Sequence, residues 1–116
     1  MKTLILTIFF LITPVFANEF ISSEEAHRLV EKEKALLLDV RTLVEYKLKH
    51  IKGAKRVGIS DVPNKLSEIE EMAGGKEKPI VVYCLSGGRS ANAKEILEKA
   101  GFKRVYNLGG IGNWKD

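Results

Sequence analysis

Residues 79–101 read PIVVYCLSGGRSANAKEILEKAG, and this stretch decides the fold. Its opening, Pro79 to Tyr83, is a short unbroken apolar run of the kind that forms a strand covered on both faces. Its close, Ser90 to Ala100, reads as a helix stopped by Gly101. Between them, Cys84-Leu-Ser-Gly-Gly-Arg89 leads from the end of a buried strand straight into a helix N-terminus.

The same rhythm extends outward in both directions. Downstream, Lys103 to Leu108 reads as a last strand. Upstream, Ser22 and Glu25 form a capping-box pair ahead of a helix whose Ala26, Leu29 and Val30 share one face. Ala35 to Val40 is a second continuous apolar run, Leu43 to Leu48 a short helical segment, and Ala54 to Ile59 a short strand. Asp61 and Pro63 open a further helix that carries Leu66, Ile69 and Met72 and stops at Gly74-Gly75. Strands separated by helices need crossover connections, so the expected fold is α/β, a mostly parallel sheet with helices on both faces. With 45% hydrophobic and 29% charged residues and no repeat or low-complexity tract, collagenous and disordered classes are excluded and one globular domain is expected.

The first 17 residues stand apart from this pattern. Met1-Lys2 is positive, Thr3 to Phe16 holds 14 residues without a charge, and Val15-Phe16-Ala17 follows Pro14 as a small-residue exit. This is the pattern of a secretory signal peptide, with cleavage expected after Ala17. An uncleaved anchor is the alternative, but the uncharged run is shorter than the roughly 20 residues that a spanning helix needs. Cleavage leaves 18–116 as the mature domain, without stable membrane association, and the expected location is periplasmic or secreted.

The mature balance, 18 basic against 15 acidic residues, is mild. It offers no basic stripe with a reading motif, so no nucleic-acid partner is expected. Lys47, Lys49, Lys52, Lys55 and Arg56 form the densest positive run; they read as a solvated loop, with a local field that can gather small anions. Cys84 is the single cysteine, so no internal disulfide can form and the core alone must stabilise the domain. A monomer is expected.

Ligands of parallel sheets sit beyond the carboxyl ends of the strands, which points to the loop after Tyr83. Backbone N–H groups at a helix start have no internal partners, and with the helix dipole they stabilise an anion. Gly87 and Gly88 permit positive φ and a close backbone approach. Arg89 adds a permanent cation. A thiol at the mouth of this cradle, Cys84, should have a lowered pKa and serve as a nucleophile. A free cysteine is more often a small buried hydrophobe, but the loop around this one outweighs that reading.

The residues that surround this loop carry a family resemblance. Leu38-Asp-Val-Arg41, Glu45-Tyr46, His50-Ile-x-Gly53-Ala54, Val82-Tyr-Cys84, Arg89-Ser90 and Val105-Tyr-x-Leu-Gly-Gly-Ile111 with Trp114 follow in order over nearly the whole mature domain. From about Phe20 to Trp114 the chain resembles a single-domain rhodanese, a thiosulfate sulfurtransferase, with the small secreted or periplasmic ones as the nearest subgroup. The resemblance implies a three-layer domain around a five-stranded, mainly parallel sheet. It also implies a double displacement in which Cys84 takes a sulfane sulfur from a small anionic donor such as thiosulfate, releases sulfite, and holds the sulfur as a persulfide. A nucleophilic acceptor, cyanide or a thiol, then removes it. The amides of Leu85, Ser86, Gly87, Gly88 and Arg89 would hold the outer sulfur, and Arg89 and Arg41 would attract the donor. No metal or organic cofactor is implied, because the side chain itself carries the sulfur. Lys49 stands where the family commonly has glycine before the histidine, a departure that bears on local loop shape.

Two other readings compete. Related phosphatases and arsenate reductases use a Cys-x5-Arg loop for a tetrahedral oxyanion; the Cys-x4-Arg spacing here is one residue tighter, which suits a single sulfur atom better. A persulfide carrier that hands its sulfur to a protein partner needs the same cysteine and the same cradle. The remaining residues have structural readings. Asp39 and Arg41 are expected to pair, and His50 to be a satisfied structural histidine. His27, on an exposed helix face, is assigned no role. Gly109-Gly110 reads as a turn and Trp114 as a hydrophobic plug, while two histidines and one cysteine so far apart make no metal site. Cys84 is expected to be recessed, because an exposed reactive thiol in an oxidising compartment is prone to mixed disulfides.

Overall fold

The structure, a computed structural model, describes residues 19–116. The expected signal segment 1–17 lies outside the described residues. Four strands, β1 (Leu36–Asp39), β2 (Lys55–Arg56), β3 (Ile80–Cys84) and β4 (Val105–Gly110), form one sheet in the order β2-β1-β3-β4, with every neighbouring pair parallel. Of four helices, α1 (Ser23–Lys32) precedes β1, while α2 (Leu43–Leu48), α3 (Leu66–Ala73) and α4 (Gly88–Lys99) lie in the three crossovers.

The continuous apolar runs are explained by two buried faces. Successive strand side chains point to opposite sides. Leu36, Leu38, Ile80, Val82 and Cys84 therefore join one core with Ile69 of α3 and Ala93 and Leu97 of α4. Leu37, Val81, Tyr83 and Leu108 join the other with Ala26 and Leu29 of α1. The result is the expected three-layer arrangement. Ser22 caps α1 by accepting from the Glu25 amide at 3.0 Å, but the Glu25 carboxylate does not complete the box, because Arg28 holds it at 2.6 and 2.9 Å.

Among the described residues the sheet has four strands where five were expected. At the outer edge of β4, Phe20 makes a single parallel bridge with Asn107, and the Ile21 amide donates to the Asn107 carbonyl at 2.9 Å. Pairing stops there because the next residue, Ser22, turns the chain into α1. Asp61 and Pro63 do not open α3 directly. Val62–Asn64 forms a 3₁₀ turn, and α3 starts at Leu66, so Ile69 and Ala73 face inward while Met72 is 40% exposed. Gly109 and Gly110 belong to β4 rather than to a turn. A register shift at Val82/Tyr83 sets Tyr83 opposite Gly109, whose φ of +89° suits the irregularity.

Candidate active site

Cys84 is the last residue of β3, and α4 begins only four residues later. The turn between them works because Gly87, the N-cap of α4, takes a left-handed φ of +106°. Gly88, expected to share that freedom, is ordinary helical backbone. The tight turn folds donors back onto the sulfur. Sγ of Cys84 accepts from the Gly87 amide at 3.0 Å and the Ser90 amide at 3.4 Å, and lies 3.3 Å from Ser90 Oγ. Burial, with the side chain 1% exposed, pushes the thiol pKa up, but the hydrogen bonds from the Ser90 hydroxyl and the Ser90, Gly87 and Ser86 amides more than offset it, so the net shift is downward. Ser90 Oγ is also within 3.1 Å of the Gly87 carbonyl. Its proton can bond that carbonyl while the thiol is protonated and turn to the sulfur when it ionises.

Arg89 does not point at the sulfur. Its guanidinium grips Glu45 of α2 through two bonds of 2.7 and 3.0 Å. Glu45 also completes a capping box with Thr42, accepting from the Thr42 amide at 3.0 Å. Arg89, with the Thr42 amide, holds the Glu45 carboxyl at a pKa of about 2. The pair ties the rim of the loop to α2. Leu85, at the tip, is 58% exposed, and Ser86 and Gly88 are also exposed.

Arg41 is committed elsewhere. It is buried, binds Asp39 at 2.7 Å and donates to the Lys49 carbonyl at 2.6 Å, so the expected pairing is present and its charge is balanced within the fold. Arg41, expected to attract a donor, thus has its guanidinium engaged by these partners and is 4% exposed. His50 stacks on Tyr46 at 3.8 Å and bonds its carbonyl at 2.8 Å, as a satisfied structural histidine does. His27 has more contacts than its helix position suggested. It stacks on Trp114 at 3.7 Å and bonds Glu31 at 3.0 Å and the Lys115 carbonyl at 2.6 Å, fastening the last residues to α1. Lys49 adopts an extended conformation, φ −166°, which needs no glycine.

Three groups that hold the loop from outside escaped the sequence reading. Asn107, fully buried, donates to the Gly87 carbonyl at 3.4 Å and accepts from the Gly109 amide at 2.8 Å. The Phe20 ring lies where side chains at Gly87 and Gly109 would stand: a Cβ at Gly87 would overlap it, and one at Gly109 would stand 2.7 Å from it. Gly110, register partner of Cys84, lies against the loop so closely that a Cβ would overlap the Leu85 carbonyl oxygen and stand 3.1 Å from its carbon. The available signals were a polar residue in an apolar strand and the glycine pair that follows it.

The comparisons agree with this geometry. A family described as rhodanese-like domain matches residues 22–116. The thiosulfate sulfurtransferase GlpE of Coxiella burnetii is 41% identical over 96 residues, covering 82% of this chain and 85% of its own. A sulfurtransferase of Allochromatium vinosum is 38% identical over 98 residues, covering 84% and 87%. Among solved structures, a rhodanese with anions from E. coli superposes with a TM-score of 0.62 at 32% identity, over 68% of this chain and 89% of that one. With the family matched over most of its length, the chain belongs to the rhodanese-like domain family.

Proposed function

We propose that Cys84 is the sulfur-carrying nucleophile of a thiosulfate-type sulfurtransferase that works by double displacement. The chain is a sulfurtransferase by its relatives, and the observation that supports the role of Cys84 is the convergence of the Gly87 amide, the Ser90 amide and the Ser90 hydroxyl on its recessed sulfur. The thiolate attacks the sulfane sulfur of thiosulfate. A Cys84 S–S bond forms, the thiosulfate S–S bond breaks, and its electron pair leaves with sulfite. A thiolate or cyanide then attacks the outer sulfur, and the electron pair of the broken bond returns to Cys84.

Gly87 and Ser90 hold Sγ in both states. The amides of Gly88 and Arg89, in the first turn of α4, have no intrahelical acceptors and remain for the outer sulfur, with those of Leu85 and Ser86 beside them. Such preorganised donors stabilise developing charge by a few kcal/mol (about 3) when they converge. The attraction of the donor falls to the helix N-terminus and to Arg89, whose charge is shared with Glu45. We place the mature enzyme, residues 18–116, in a periplasm or outside the cell, on the strength of the segment ending at Ala17.

The test is intact mass before and after thiosulfate, then after cyanide, with Cys84→Ser alongside. A gain of one sulfur, about 32 Da, that requires Cys84 and is discharged as thiocyanate establishes the cycle. Loading without discharge favours a persulfide carrier. No loading by folded protein overturns the thiosulfate assignment, and phosphate esters and arsenate become the next substrates to try.

A further inference from the structure

Asn107 is a fully buried polar side chain on the apolar strand β4. It stands opposite Val82, which shares a face of the sheet with Cys84. Its orientation is fixed by its two partners. The Gly109 amide can only donate, so the atom 2.8 Å from it is Oδ1, and the other end of the side chain, Nδ2, donates to the Gly87 carbonyl at 3.4 Å. One side chain thus joins the irregular step of β4 to the turn that carries the sulfur.

The carbonyl of buried Gly87 is where this contact meets the thiol. Three donors surround it: the Ala91 amide at 3.0 Å, the Ser90 hydroxyl at 3.1 Å and Asn107 Nδ2 at 3.4 Å. A carbonyl oxygen has two lone pairs, so the two closer donors fill it and the third is held at the long end of the hydrogen-bond range. Of the three, the Ser90 hydroxyl also has the Cys84 sulfur within reach, at 3.3 Å. Its single proton serves one acceptor at a time. When it turns to the sulfur, the buried carbonyl loses one of its bonds unless Asn107 takes the vacated place.

We propose that Asn107 is a positioning residue for the Cys84 thiolate and acts through Ser90: its side-chain amide closes on the Gly87 carbonyl as the Ser90 hydroxyl leaves that carbonyl for the sulfur. The proposal rests on Cys84 being the reactive thiol, the reading given above. The thiol proton goes to solvent, while the Ser90 proton stays on its oxygen and changes only its acceptor, so Cys84 alone changes charge. The charged groups around the sulfur are already matched. Arg89 of α4 is paired with Glu45 of α2, and Arg41 with Asp39 of β1. The core beneath the sulfur is apolar, Tyr83 packs on the opposite face, and β4 presents Asn107 to Gly110, none of which ionises. In the transfer cycle the free thiolate returns after each discharge, so the exchange recurs at every turnover.

The test is the pH profile of Cys84 alkylation by iodoacetamide, read in a double-mutant cycle. Asn107→Leu removes the donor at similar volume. In otherwise wild-type protein it should raise the midpoint by about 0.5–1 pH unit, roughly three- to tenfold less thiolate at a given pH below the midpoint. In the Ser90→Ala background, where no hydroxyl is left to release, the same substitution should leave the midpoint in place. An unmoved midpoint in the first background overturns the proposal. So does an equal shift in both, because a residue that merely supports the loop acts on its amides whether or not Ser90 has a hydroxyl. Wild-type protein gives a second reading that needs no variant to fold: the side-chain amide of Asn107, followed by proton–nitrogen NMR, should shift downfield with the Cys84 midpoint. A resonance that stays in place as Cys84 ionises overturns the proposal. Failure of wild type to load from thiosulfate instead overturns the sulfurtransfer reading alone, since alkylation needs no sulfur donor.

Discussion

Gly110→Ala disturbs the cradle without altering any group that donates to the sulfur. The added methyl would overlap the Leu85 carbonyl oxygen and stand 3.1 Å from the Leu85 carbonyl carbon, with Ser86 Cα at 3.6 Å. These are backbone atoms, so no side-chain rotation relieves the overlap. To restore an ordinary contact the Leu85–Ser86 peptide has to retreat by roughly 1 Å. That peptide leads into the Gly87 amide, which holds Sγ at 3.0 Å, and a displacement of this size is enough to break the bond. Two effects follow. Overpacking costs about 1–3 kcal/mol of stability, and a misplacement of about 1 Å in the reacting geometry costs on the order of 100-fold in rate. The assays are urea unfolding and the rate of persulfide loading from thiosulfate, followed by mass. Gly88→Ala serves as the stability comparison, since its Cβ meets nothing within 4 Å and it should unfold at the wild-type midpoint or above. Gly110→Ala that loads at the wild-type rate would refute the argument that β4 holds the loop in its working shape.

Three further perturbations probe the same architecture. Ser90→Ala deletes the hydroxyl 3.3 Å from Sγ, so the alkylation rate of Cys84 by iodoacetamide should titrate at higher pH than in wild type; an unmoved midpoint excludes Ser90 as a stabiliser of the thiolate. Arg41→Ala strands the fully buried Asp39 carboxylate and should cost about 3–5 kcal/mol in chemical denaturation, whereas a loss below 1 kcal/mol (about the exposed-pair range) would contradict the buried-pair assignment. Glu45, held at about 2 chiefly by Arg89, contributes stability that is present above its ordinary value of 4.5 and is lost as pH falls toward about 2. Wild type and Glu45→Gln should therefore differ in stability at neutral pH and converge near the acid end, and a gap that widens on acidification would reverse the sign of this linkage.

What the sequence made legible is what local patterns encode. The run Ile80 to Tyr83, the Ser22 cap of α1 and the stop at Gly74 each follow from side-chain periodicity, capping chemistry or backbone freedom, and each is present in the fold. The strand–Cys84–helix order alone pointed to the carboxyl end of the sheet, where the Gly87 and Ser90 amides meet Sγ. What could not be read were contacts between segments far apart in the chain. Arg89 and Glu45 lie 44 positions apart, and nothing local says that the guanidinium turns to α2 rather than to the sulfur. Gly110 looked like a turn because two adjacent glycines usually mark one, while its actual constraint comes from Leu85 on the neighbouring strand end. The fifth strand was lost for a similar reason: the signal that caps α1 at Ser22 competes with strand extension past Phe20, and the cap prevails.

Recessing a thiol and ionising it are opposed demands, since burial alone favours the neutral form. This fold reconciles them by spending backbone donors rather than side-chain charge. The amides on Sγ come from a helix start, are fixed by the Gly87 turn, and cost no reorganisation when the sulfur ionises. Had Arg89 supplied the stabilisation, the permanent cation would also have held sulfite after transfer and slowed its departure; pairing it with Glu45 lowers its net field at the loop while keeping it at the rim where an anion arrives. In the proposed cycle the cradle thus stabilises charge on the carried sulfur in every state, and the rim charge acts only on the anion that arrives.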